Sequence, residues 1–99
     1  MVVEHLTFRI PLALQAKFLA CDAEIWTATL AGQDGFVSKD YWADASDPDM
    51  LHLLIRWTSH DHWHAVPKTL LDETGRRFTA AVGQAWPTLS CTAYDVLSG

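Results

Sequence analysis

Apolar and polar residues alternate with a period of two from Val2 to Ile10, so Glu4, Leu6, Phe8 and Ile10 face one way and Val3, His5, Thr7 and Arg9 the other. That is a strand. After Pro11 the spacing becomes helical up to Gly32. At ~100° per residue, Leu14, Phe18, Cys21, Ile25 and Ala28 share a face expected to lie on a sheet. Leu12, Leu19, Trp26 and Leu30 form a second apolar stripe; Gln15 and Asp22 fall between the two, and Lys17, Glu24 and Thr27 point to water. Gly35-Phe36 opens a second strand, Asp44 to Asp49 reads as a turn, and Met50 to Trp57 is a third strand. Its apolar side carries Leu51, Leu53, Ile55 and Trp57, with His52, Leu54 and Arg56 opposite. Ser59 then caps a second helical region, with Asp61 in its first turn and Trp63 and Val66 inward. Pro67 interrupts it and starts a further helix, with Leu70, Leu71, Phe78, Ala81 and Val82 inward and its end at Gly83. Leu89 to Leu97 reads as the last strand.

The order β-α-β-β-α-β predicts an α+β, ferredoxin-like subunit with an antiparallel sheet. In such a sheet the first and third strands are the central neighbours, which puts His5, Arg9, His52 and Arg56 together on the helix-free face. With Val3, Thr7 and Leu54 beside them, that face is too apolar for full exposure and too polar for a dry core. It suits a wet interface with a second sheet, so a homodimer is expected. Arg56 should pair with a carboxylate, Asp40 first and Asp95 second. Whether Asp40 or Lys39 joins this face depends on the register of the second strand, which the turn leaves open by one residue.

Composition narrows the partners. The chain has 99 residues, 49% of them hydrophobic, and five are Trp. One domain over residues 1–99 is expected, with an aromatic load that favours burial against a partner. A net charge of −5 argues against nucleic acid and against an anionic membrane surface. The first residues lack the charged start and apolar run of a signal peptide, and no stretch approaches the ~20 apolar residues of a membrane span. A cytoplasmic protein is the expectation.

Candidate chemistry is sparse. Cys21 and Cys91 sit among apolar neighbours with no His or Lys beside them, and read as core thiols in a reducing compartment. His60-Asp-His-Trp-His64 resembles a metal motif, but His60 and His64 share a helical face while His62 does not, and two imidazoles fall short of a zinc site. It reads as a solvated first turn, and no metal is expected. Asp22, shielded between apolar stripes, should be paired with a donor in the second helical region or a Trp N–H, or have a raised pKa and act as an acid/base group. Phosphate loops and the hydrolase and metalloprotease signatures are absent from the sequence.

The strand order, the turn Gly32-Gln-Asp-Gly35 leading into Phe36, and Leu53-Leu-Ile-Arg-Trp57-Thr-Ser59-x-x-x-Trp63 resemble the dimeric α/β-barrel superfamily. That superfamily includes antibiotic-biosynthesis monooxygenases and haem-degrading monooxygenases. Asp22-x-Glu24-Ile-Trp26-Thr, Gly35-Phe36 and Ile55-Arg-Trp57 look closest to a small uncharacterised bacterial family within it. The resemblance implies sheet order 4-1-3-2, two sheets facing each other to close a barrel, and a substrate cleft between sheet and helices. Glu4, Asp22, Trp26, Trp57 and Trp63 would border that cleft. Haem-degrading members use an Asn, a Trp and a His where Glu4, Val66 and Arg76 stand here, which speaks against that activity. Three readings follow. Trp26, Trp57 and Trp63 could hold a small, flat, apolar ligand. Glu4 or Asp22 could in addition accept a proton in a cofactor-independent oxygenation of an aromatic, polyketide-like substrate. Or the Trp residues could pack solid in a structural dimer without a ligand site.

Overall fold

A computed structural model describes residues 1–98. The elements are β1 (Val2–Arg9), α1 (Leu12–Asp22), a π-helical turn (Ala23–Thr27), α2 (Ala28–Ala31), β2 (Phe36–Ala43), β3 (Met50–Trp57), α3 (His60–His64), α4 (Lys68–Val82) and β4 (Ser90–Asp95). They form one antiparallel sheet in the order β2-β3-β1-β4, the ferredoxin-like arrangement. The helices cover one face. No helix among the described residues is long and apolar enough to cross a membrane.

The alternation in β1 and β3 translates directly into pairing. Val2 lies opposite Trp57, Glu4 opposite Ile55, and Leu6 opposite Leu53, so both apolar sides meet the helices. Under them, Phe8, Ile10, Phe18, Leu51, Leu53 and Phe78 form one buried cluster, and Val2, Leu30, Ile55 and Trp57 a second. Phe18 stands between Phe8 and Phe78, its ring centre 5.2 Å from each.

Turns and caps follow the expected chemistry. Ser59 Oγ accepts the His62 N–H at 3.1 Å as the N-cap of α3, Pro67 precedes α4, and Gly83 ends it in a left-handed conformation. At the start of α1, where Pro11 offers no side-chain cap, Asp49 Oδ1 accepts the Leu12 N–H at 3.1 Å from the β2–β3 loop. Gly35 also has positive φ, +84°, and packs against His62 so closely that a Cβ there would lie 2.3 Å from the His62 Cβ.

The first helix departs from the uniform pattern. The π turn at 23–27 inserts one residue into the helical count, which rotates everything after it by ~100°. Phe18 is buried before the turn as expected, but after it Trp26 and Leu30 go inward and Ala28 is exposed. Leu12 and Leu14 at the start of α1 are exposed too. In α4, Ala81 is exposed, and Thr74 takes a fully buried place by donating its hydroxyl to the Leu70 carbonyl at 2.6 Å. Cys91 is not a core thiol: β4 is an edge strand packed chiefly on β1, and its side chains are exposed.

The register of β2 is set by a bulge at Val37. Phe36 lies opposite Trp57 and Ser38 opposite Arg56, leaving Val37 without a partner. The extra residue changes the parity of the strand. Phe36, Lys39 and Tyr41 all face the helices, while Ser38, Asp40 and Trp42 face the open side. Asp40 is therefore the partner of Arg56, at 2.6 Å, as expected; Asp95 pairs instead with His60, at 2.7 Å.

Candidate functional site

Between sheet and helices lies a cavity of about 460 Å³. The sheet contributes Glu4, Leu6, Lys39, Ile55 and Trp57; the helices contribute Asp22, Trp26, Leu30, Leu71 and Phe78; Trp63, His64 and Trp86 complete the wall. The Trp residues are thus not packed solid, and the space exceeds the ~300 Å³ at which ligand pockets begin. Glu4, Asp22, Trp26, Trp57 and Trp63 all line it. His5, Arg9, His52 and Arg56 lie on the other face of the sheet.

Glu4 is positioned by two central strands and by the buried indole of Trp57, whose Nε1–H donates to Oε1 at 3.2 Å. Oε2 accepts no bond from the protein among the described residues. Burial pushes the Glu4 pKa above its ordinary 4.5, against the Trp57 hydrogen bond and the charges of Lys39 and His64, which pull the other way. A carboxylate whose basicity is raised in this way is the better proton acceptor.

Asp22 has a different setting. It is buried, and Oδ2 accepts from both Lys39 Nζ and the Tyr41 hydroxyl, the latter at 2.7 Å. The donors come from β2, not from the second helical region or a Trp. Thr27 completes the set, its hydroxyl 3.0 Å from that of Tyr41. At ~100° per residue, Asp22 and Thr27 would point ~140° apart, and Thr27 would face water as expected for a regular helix. The i→i+5 turn brings residues five apart to one side, so both reach Tyr41. Desolvation lowers the Lys39 pKa, and Asp22, followed by Glu4, opposes that shift. The Tyr41 phenol is pushed well above its usual range by burial, with Asp22 adding to the effect.

Sequence reasoning missed Lys39, His64 and Trp86. Lys39 was hidden by the bulge, which carries no residue signature at Val37. Trp86 lies in the aperiodic stretch between Gly83 and β4. His64 is more than part of a solvated turn: its ring stacks on Trp63 at 4.5 Å and borders the cavity. His62 is held by Ser59 and His60 by Asp95, and no three His, Cys, Asp or Glu side chains converge as a metal site among the described residues.

On the open face, His5 Nε2 lies 2.8 Å from His52 Nδ1, and His52 Nε2 lies 2.9 Å from Asp44 Oδ2. Arg9 pairs with Asp47 at 2.9 Å. Val3 and Leu54 are covered by these neighbours, whereas Trp42 on β2 and Tyr94 on β4 are about half exposed (51% and 53%).

Neither a family profile nor a curated protein matches the chain by sequence. Solved structures do match it, end to end. A Deinococcus radiodurans protein described as an antibiotic biosynthesis monooxygenase is 20% identical, with 100% of this chain and 95% of that one covered and a TM-score of 0.70. A variant of SnoaB, a cofactor-independent oxygenase from Streptomyces nogalater, is 19% identical over 99% of this chain and 94% of its own, with a TM-score of 0.72. The monooxygenase of ActVA-Orf6 from Streptomyces coelicolor, in complex with nanaomycin D, is 17% identical over 99% and 88%, also at 0.72. The chain has the ferredoxin-like fold of the antibiotic biosynthesis monooxygenases.

Proposed function

We propose that the cavity binds a small, flat, largely apolar aromatic molecule, and that Glu4 removes a proton from it as the first step of a cofactor-independent monooxygenation. The observation that carries this is the free Oε2 of Glu4 in a cavity walled by Trp side chains. Trp26, Trp57 and Trp63 offer stacking faces and edges, and the basicity of Glu4 is raised by burial. Asp22, engaged by Lys39 and Tyr41 through one oxygen, is the poorer base and serves to fix those two side chains. The carbanion left by proton removal would add oxygen, and loss of water from the resulting hydroperoxide would leave a carbonyl group. Two proteins of the same fold, a cofactor-independent oxygenase and a monooxygenase holding nanaomycin D, lend support. Oxygen uptake with anthrone tests it: activity in the native protein and loss in Glu4→Gln, with anthrone binding retained, is the expected result. Binding without uptake leaves a binding module.

The subunit would pair with a second copy through the open face of the sheet, with His5, Arg9, His52 and Arg56 at the interface. Trp42 and Tyr94, exposed at opposite edges of that face, favour this reading. A two-fold axis sets each β4 against the partner's β2, so these rings would be covered. Interfaces of this kind bury on the order of 2,000 Å². Sedimentation equilibrium at micromolar concentration should show a dimer. A cytoplasmic location is supported by the two free cysteines.

A further inference from the structure

Lys39 is a buried ammonium with more donors than its surroundings use. Its side chain is 2% exposed. Of its three N–H donors, one goes to Asp22 Oδ2, and no second protein acceptor bonds to Nζ among the described residues. The Tyr41 ring, 5.6 Å away, offers only a π face. Unmet donors on a buried charge are costly. The space that Lys39 borders is the cavity, which Glu4 borders as well.

We infer that Lys39 is a catalytic residue that holds the ligand oxygen on which negative charge collects when Glu4 takes the proton. This rests on the proton transfer proposed above. A molecule with an acidic C–H conjugated to a carbonyl meets both groups, presenting a proton to Glu4 and an acceptor to Lys39. A plain arene would leave the lysine donors unmet. An aryl carboxylate would set a third negative charge beside Glu4 and Asp22.

The step balances. The C–H bond breaks, its proton passes to Glu4 Oε2, and its electron pair moves through the conjugated system to the carbonyl oxygen. Glu4 loses one negative charge as the ligand oxygen gains one, while Asp22 and Lys39 cancel throughout. The net charge of the cavity is unchanged, so no ion has to be solvated there during the transfer. Asp22 is the positioning residue: it keeps the lysine charged against desolvation and directs Nζ.

The test is a spectroscopic pH titration of anthrone bound to the full-length protein without oxygen, reading the absorbance of its enolate. Bound to the native protein, anthrone should ionise at a pH lower than in water by about one unit or more, as expected for an opposite charge at contact. In Lys39→Met the shift should vanish. Where Lys39→Met fails to fold because Asp22 is left unpaired, Asp22→Asn combined with Lys39→Met removes both partners and is read in its place. Equal midpoints in the native protein and the folded lysine variant would overturn the inference while leaving Glu4 as the base. Oxygen uptake that survives Glu4→Gln would remove the base and spare the lysine. Failure of anthrone to bind the native protein would remove both.

Discussion

His5 and His52 share a hydrogen bond across the two central strands, and Asp44 holds the far nitrogen of His52. The Asp44 carboxyl is held down to about 2, chiefly by the His52 bond and by the backbone N–H groups of Ser46 and Asp47, so it is an acceptor. His52 therefore donates to Asp44 from Nε2, and its bond to His5 runs through Nδ1. Burial, then the neighbouring His52, pushes the His5 pKa below its ordinary 6.5.

A pH dependence of stability follows from that shift. The unfolded chain takes up its His5 proton at higher pH than the folded protein does, so the unfolded state binds more protons between the two values. The contribution of His5 should be fully present above ~6.5 and decline as the pH falls below it. Thermal melting between pH 8 and 5 should show the decline, and His5→Phe should flatten it. A melting temperature that rises on acidification in the native protein alone would contradict the assignment.

Asp22→Ala should be costly. It leaves the Lys39 ammonium buried without its partner, a change worth about 3–5 kcal/mol for a buried pair. Asp22→Asn with Lys39→Met removes both charges and should lose less. Urea denaturation of the two variants gives the comparison.

Gly35→Ala should destabilise by about 1–3 kcal/mol, because Ala resists positive φ and its methyl would run into His62. The loss should appear as a lower denaturation midpoint at unchanged slope. His62→Ala alone should be mild, since among the described residues that ring bonds only to Ser59 and Thr58 near the surface.

Arg56→Ala separates the subunit from the assembly. The Arg56 and Asp40 side chains are 29% and 42% exposed in one subunit, where such a pair is worth ~0–1 kcal/mol. Covered by a second sheet, the same change strands Asp40 in a buried interface. Sedimentation equilibrium should show Arg56→Ala weakening the dimer much more than it lowers the stability of a monomeric subunit. An unchanged dimer would place Arg56 at a free surface.

The sheet and the cleft are legible in the sequence because strict alternation in β1 and β3 determines at once which residues meet the helices. Glu4 and Trp57 can be assigned to one side of one sheet on that ground alone. Caps are legible at Ser59 and Gly83 because single residues carry their chemistry. Lys39 and Thr27 are not legible. Each lies just beyond an interruption of the period, and neither Val37 nor Ala23 differs from residues that continue a strand or helix without a break. Cys91 misleads for another reason: an apolar sequence neighbourhood on an edge strand gives no measure of cover.

The π turn and the Val37 bulge have a joint consequence. Each is a single extra residue: the bulge lets Phe36 and Lys39 both face the helices, and the π turn brings Thr27 round to the Tyr41 hydroxyl that bonds Asp22. Removing Val37 would only make the strand regular, with Phe36 still opposite Trp57 and Lys39 still opposite Ile55; a slip of one residue against β3 would instead send Lys39 to the far side of the sheet and bring Asp40 beneath Asp22. The charge of the cavity thus depends on the register of β2, and a slip of one residue would invert it without altering a single side chain that carries charge.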